Sequence, residues 1–120
     1  MQQKWMQRAK QLVIRNGRAV IFVRPEELDY AEAEGKYVRL HVGKEILVLK
    51  MSITALEAEL DPAQFVRIHR STLINIDRVR RVQPWDRRRT YQVTLQDGTR
   101  LVLSRKSRLL EINGKTLTAI

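Results

Sequence analysis

The sequence contains no cysteine, which excludes disulfides, thiolate metal centres and cysteine nucleophiles and accords with a reducing compartment. Its two histidines, His41 and His69, are too few for a zinc site. No apolar run approaches the roughly 18 residues needed to cross a bilayer, and the N-terminus has no signal-peptide core, so a soluble cytoplasmic chain with no membrane partner is expected. Five glycines and three prolines leave no repeat, low-complexity tract or Gly/Ser linker across residues 12–112. One domain over residues 12–120 is therefore expected, preceded at residues 1–11 by a linker or leading helix in which Trp5, Met6 and Ala9 form a weak helical stripe. Also missing are a Gly-rich phosphate loop, a nucleophile elbow and clustered carboxylates, so neither an enzyme nor a bound cofactor or metal is expected.

Acid is scarce where base is dense. Residues 64–110 carry twelve Lys/Arg and three Asp/Glu, whereas residues 1–63 are nearly balanced at ten against nine. Almost all of the net charge of +10 thus sits in one stretch. A segregated block of this kind is the footprint of a phosphate-binding surface; the bland alternative is a solvated face without a partner.

From residue 12 onward, β-branched and aromatic residues come in short alternating runs broken by turn chemistry, which predicts strands. Residues 12–15 and 19–23 pair across a turn at Asn16 and Gly17. Residues 29–34 and 36–42 pair around Gly35, and residues 45–50 follow a turn at Gly43. Pro25, Glu26 and Glu27 fit one helical turn with acids at its positive end. Residues 52–60 read as the clearest helix: Ser52 can cap it, Thr54 with Glu57 offers a capping box, and Ile53, Leu56 and Leu60 line one face. Further strands are expected at 65–68, 79–82, 90–96 and 100–103. The last two join through Asp97 and Gly98, with Tyr91, Val93, Leu95, Leu101 and Leu103 inward. A closing helix at 105–112 follows Ser104 and stops near Asn113 and Gly114. The result is a mainly β fold of small antiparallel sheets with one or two short helices. It has no room for βαβ crossovers and no adjacent helix pair of the helix-turn-helix kind, so any nucleic-acid contact falls to loops and strand ends.

The core-forming residues Phe65, Ile68, Leu73, Ile74 and Ile76 are interrupted by three consecutive polar residues, His69, Arg70 and Ser71. A turn must project these, and a loop anchored on both sides by buried residues is rigid enough to present a guanidinium to a guanine edge. The alternative for Arg70 is a solvated side chain. For His69 the favoured reading is structural, a ring nitrogen tying down the loop, and Asn75 is expected to bond backbone. A second candidate is Ser104, Arg105 and Lys106 at the start of the closing helix. Cations there oppose the helix dipole unless an anion compensates them, chance placement being the alternative. A third is the turn carrying Lys36, Tyr37 and Arg39, which an ordinary hairpin explains equally well. Arg78, Arg80, Arg81 and then Arg87, Arg88 and Arg89 flank Pro84, Trp85 and Asp86; the three successive arginines at a loop tip read as exposed cations suited to nonspecific affinity. Trp85 is placed either to cover a core edge or to face a partner.

Taken in order, DYAEAEGKYVRLHV from Asp29, ITALEAEL from Ile53, FVRIHRSTLINID from Phe65 and YQVTLQDGTRLVLSR from Tyr91 resemble the LytTR-type DNA-binding domain over about residues 20–112. The resemblance implies an elongated fold of small sheets whose loops enter successive major grooves of double-stranded DNA, often on repeated half-sites and with DNA bending, with a dimer on DNA open. It implies the output domain of a bacterial response regulator, in a two-component system, with an upstream receiver or sensor domain. It assigns base contact to His69, Arg70 and Ser71, with Arg70 at the variable reading position. A second contact falls to Ser104, Arg105 and Lys106, and a third to the loop from Lys36 to Arg39. An RNA-binding β module is the competing class, although Tyr91 is expected inward and no outward aromatic pair is evident. A third class is a protein-interaction module that docks acidic partners on the basic face.

Overall fold

The computed structural model describes residues 11–85, 90–104 and 109. Among these residues ten strands build three antiparallel sheets within an elongated body of 52 × 27 × 24 Å. Strands β1 (Leu12–Asn16) and β2 (Ala19–Val23) form a two-stranded ribbon. After a 3-10 turn at Pro25–Glu27 come β3 (Leu28–Glu34), β4 (Tyr37–Val42) and β5 (Glu45–Leu49). Helix α1 (Ile53–Glu59) leads into β6 (Phe65–His69) and β7 (Thr72–Asn75). A second 3-10 turn, Ile76–Arg78, precedes β8 (Val79–Trp85), β9 (Thr90–Leu95) and β10 (Arg100–Leu103). The central sheet runs β5-β4-β3-β7-β6, and the third runs β10-β9-β8.

Period-two burial explains how these sheets stack. On one face of the central sheet Ala31, Val38, Leu40, Leu47 and Leu73 pack with Ile53, Leu56 and Leu60 of the helix segment and with Ile14 and Val23 of the ribbon. On the other face Val66, Ile68 and Ile74 meet Val93, Leu95 and Leu103 of the third sheet. β6 and β7 are thus covered on both sides.

That double burial accounts for the one strand the sequence pattern does not reveal. All four residues of β7 are buried, so the alternation that marks a half-exposed strand is absent. One turn assignment also shifts. Asn16 stands opposite Ala19, so the first hairpin turns at Gly17 and Arg18, one residue later than expected. The next two hairpins turn in the same way at Gly35-Lys36 and Gly43-Lys44. In each the first turn position has φ near 60°, which favours glycine, and Asn16 is left in the ladder. In α1, Ser52 caps the helix by accepting from Ala55 N at 3.0 Å. The expected Thr54–Glu57 box does not form, because Thr54 lies inside the helix and Glu57 turns to Arg67 at 2.9 Å. The expected closing helix at 105–112 lies outside the described residues, apart from Leu109, which is buried in the second core.

Candidate nucleic-acid interface

Because His69 stands opposite Thr72, only Arg70 and Ser71 connect β6 to β7. Apart from the Arg70 side chain and His69 Nε2, the turn's side-chain polar groups and carbonyls are engaged within the fold. Ser71 N–H donates to His69 Nδ1 at 3.3 Å, and Ser71 Oγ lies 3.0 Å from the same nitrogen. An acceptor role for Nδ1 puts the proton of the neutral ring on Nε2. The Ser71 carbonyl accepts from Ala33 N at 2.8 Å, which ties the turn to β3. One guanidinium closes the remainder: Arg67 donates to the His69 carbonyl at 3.1 Å, to the Arg70 carbonyl, and to Glu57 Oε1 of α1 at 2.9 Å. The Arg70 guanidinium itself is exposed and has no partner among the described residues. Bonds of this kind remove backbone freedom from the turn before any ligand arrives, so less entropy is lost on binding.

Strand pairing decides what shares this edge of the molecule. β3 runs antiparallel to β7 with Glu32 opposite Thr72, so the Gly35-Lys36 turn at the end of β3 emerges beside Arg70. Ser104 N–H donates to the Ile68 carbonyl at 2.6 Å, bringing the end of β10 to the other side of the same turn. His69, Arg70, Ser71, Lys36, Tyr37 and Ser104 are thus gathered on one edge, with Tyr37 46% exposed. Arg105 and Lys106 lie outside the described residues. Arg39 stands one step back and is held by Glu34 at 3.1 Å.

Behind this edge Tyr30 stacks on His41 with ring centroids 4.0 Å apart, and His41 Nε2 meets Glu32 Oε1 at 3.0 Å. Burial, reinforced by the Glu32 carboxylate, raises the Tyr30 hydroxyl above its usual range, so it stays a neutral phenol. At the opposite edge a groove of about 520 Å³ is lined by Glu27, Asp29, Lys44, Arg78 and Asp97 among others. Arg78, although its side chain is 42% exposed, is engaged within the fold. It reaches Asp29 Oδ1 at 3.0 Å and the Glu26 carbonyl at 2.7 Å, and so straps the central sheet to the third. Asn75 is 1% exposed and bonds backbone as expected, donating to the Leu28 carbonyl at 3.0 Å and accepting from Asp77 N at 2.9 Å. Among the described residues no group of His, Asp and Glu is arranged to hold a metal ion.

The sequence profile of the LytTr DNA-binding domain matches residues 18–110. The chain belongs to this family. The LytTR domain is 26% identical over 94 residues to the sensory transduction protein LytT of Bacillus subtilis, covering 78% of this chain and 39% of that protein. It is 36% identical over 78 residues to the transcriptional regulatory protein YpdB of Escherichia coli K12, covering 64% of this chain and 32% of that protein. The chain therefore spans about a third of the length of these relatives. In fold it matches the LytTr DNA-binding domain of a Bacillus cereus protein, with a TM-score of 0.70 and 23% identity over 79% of this chain and 86% of that one. The residue that sequence reasoning passes over is Arg67. Nothing in its local spacing marks it, since its partners among the described residues include one carboxylate on α1, ten residues upstream, and two turn carbonyls.

Proposed function

We propose that this LytTR domain binds double-stranded DNA sequence-specifically and regulates transcription, with the β6–β7 turn in a major groove and the neighbouring segments in the next groove or on the backbone. The observation that carries this reading is the Arg70 guanidinium, exposed at the tip of a turn whose three carbonyls and Ser71 hydroxyl are bonded within the fold. A donor fork held in this way suits the N7 and O6 acceptors of guanine. His69 and Ser71 set the shape of the turn, and His69 Nε2–H adds one more donor. Ser104, Arg105 and Lys106 form the second contact. Lys36 and Tyr37 meet phosphates, and Arg39, engaged with Glu34, adds to the field behind them.

In this reading the domain is the non-enzymatic output module of a cytoplasmic two-component response regulator. An upstream receiver or sensor domain supplies the signal, and two copies occupy repeated half-sites. The RNA-binding alternative loses ground because Tyr91 packs against the second core, leaving no pair of outward sheet aromatics among the described residues. Selection of bound duplexes from a random pool tests the proposal by returning a consensus. On that consensus Arg70→Ala should cost about 1 to 3 kcal/mol while random duplex binding changes little. Equal losses on both duplexes refute the base-reading role.

A further inference from the structure

The third sheet has an outer face that the turn edge does not use. Val79 and Val82 both pack against the second core. In a regular strand residues three apart point to opposite faces. The bulge between Val79 and Arg81 resolves this, setting two residues of β8 against one of β9 and returning both valines inward. Arg80 and Arg81 are left between them, both exposed. Arg81 stands opposite Thr94, and so does Arg100 from β10, so one cross-strand row reads Arg81, Thr94, Arg100. The next row toward the turn edge is Gln83, Gln92 and Val102, and Trp85 with Thr90 ends the face there.

No residue of β8, β9 or β10 is acidic. Arg39, Arg67 and Arg78 each meet a carboxylate, whereas Arg80, Arg81 and Arg100 meet none among the described residues. Like charges gathered on one sheet face repel one another and cost stability, so an unpaired set of this kind points to an external anion.

We infer that the outer face of the β8-β9-β10 sheet is a second phosphate-binding surface, taking the backbone of the duplex that flanks the base pairs read by the turn edge. The identity of the polyanion rests on the proposed DNA binding; the surface itself rests on the bulge and the rows. Arg, Gln and Thr side chains are phosphate donors and carry no base-reading geometry here. Trp85, 42% exposed, is the one large aromatic exposed on this face among the described residues. Stacking platforms for single strands use a series of aromatics, which favours duplex backbone as the partner. The stripe begins at the turn edge and reaches Arg81 and Arg100 about 13 Å further along the strands, at roughly 3.3 Å per residue. Short duplexes should therefore miss it.

The test measures the Kd of the full chain on one selected core sequence with flanks of about 3 or about 15 base pairs. Wild type, Arg81→Ala/Arg100→Ala and Arg81→Lys/Arg100→Lys are compared, with circular dichroism checking folding. The alanine pair should lose affinity only on the long duplex, and the lysine pair should recover it. Losing two phosphate contacts lowers the slope of log K against log salt by about 1.8. Between 50 and 200 mM salt the wild type should therefore weaken about twelvefold more than the alanine pair. Equal loss on both duplexes, or no loss on either, overturns the inference. So does single-stranded DNA that outcompetes duplex of equal length in a manner abolished by Trp85→Ala. Failure of base reading is registered separately, by an unchanged cognate-to-random ratio in Arg70→Ala.

Discussion

Replacing Arg67 removes the group that holds the reading turn. Its side chain is 27% exposed and donates to three acceptors: Glu57, 40% exposed, and the His69 and Arg70 carbonyls. The ion pair lies at the surface and is worth about 0.5 to 1 kcal/mol. Each carbonyl bond contributes about 1 kcal/mol net. Arg67→Ala should then destabilise the fold by about 2 to 3 kcal/mol. For a domain of this size that lowers Tm by about 8 to 12 °C, at roughly 4 °C per kcal/mol. Most of the loss comes from the carbonyls, so a double-mutant cycle with Glu57→Gln should return a coupling of only about 0.5 to 1 kcal/mol. Arg67→Lys keeps the charge but cannot fork to three acceptors. It should recover part of the Tm while its cognate-to-random binding ratio stays lowered, because the turn that aims Arg70 is loosened. Thermal unfolding and fluorescence anisotropy on both duplexes read these quantities. A coupling equal to the whole destabilisation, or an unchanged binding ratio in Arg67→Ala, refutes the account of the turn.

Asn75→Ala strips partners from the buried Leu28 carbonyl and from Asp77 N, and chemical denaturation should show a loss of about 2 to 3 kcal/mol. Gly35→Ala meets no atom within 4 Å at its new Cβ, so the positive φ of 60° alone sets its cost. Denaturation should report about 1 to 2 kcal/mol, with the hairpin register kept in amide exchange. The Thr99 N–H and hydroxyl bonds hold the Asp97 carboxyl below the usual carboxylate range. A depressed folded pKa gives stability that is present above the unfolded value and lost as pH falls through the folded one. Asp97→Asn should therefore lower stability slightly at neutral pH and flatten the acid side of the profile below about pH 4, where the wild type has lost the same contribution. An unaltered acid limb speaks against that assignment.

Short runs of β-branched and aromatic residues broken by turn chemistry were sufficient to locate approximately nine of the ten strands among the described residues and the helix near residues 52–60, because most of those elements keep one exposed face. Charge segregation and the polar interruption at His69 to Ser71 singled out the candidate turn for the same local reason: polar residues among core formers must leave the core. The tertiary structure decided everything that depends on partners distant in sequence. β7 is buried on both faces and loses the period that would reveal it. Arg67 acts through a helix ten residues away, and Arg78 through Glu26 and Asp29 about fifty residues away. The bulge that turns Arg80 and Arg81 to one side exists because Val79 and Val82 must both reach a core built by other strands. Which residues are polar and which apolar is written along the chain. Which cation is spent on the fold and which is left for a partner follows only from register, where a single residue's shift changes the face.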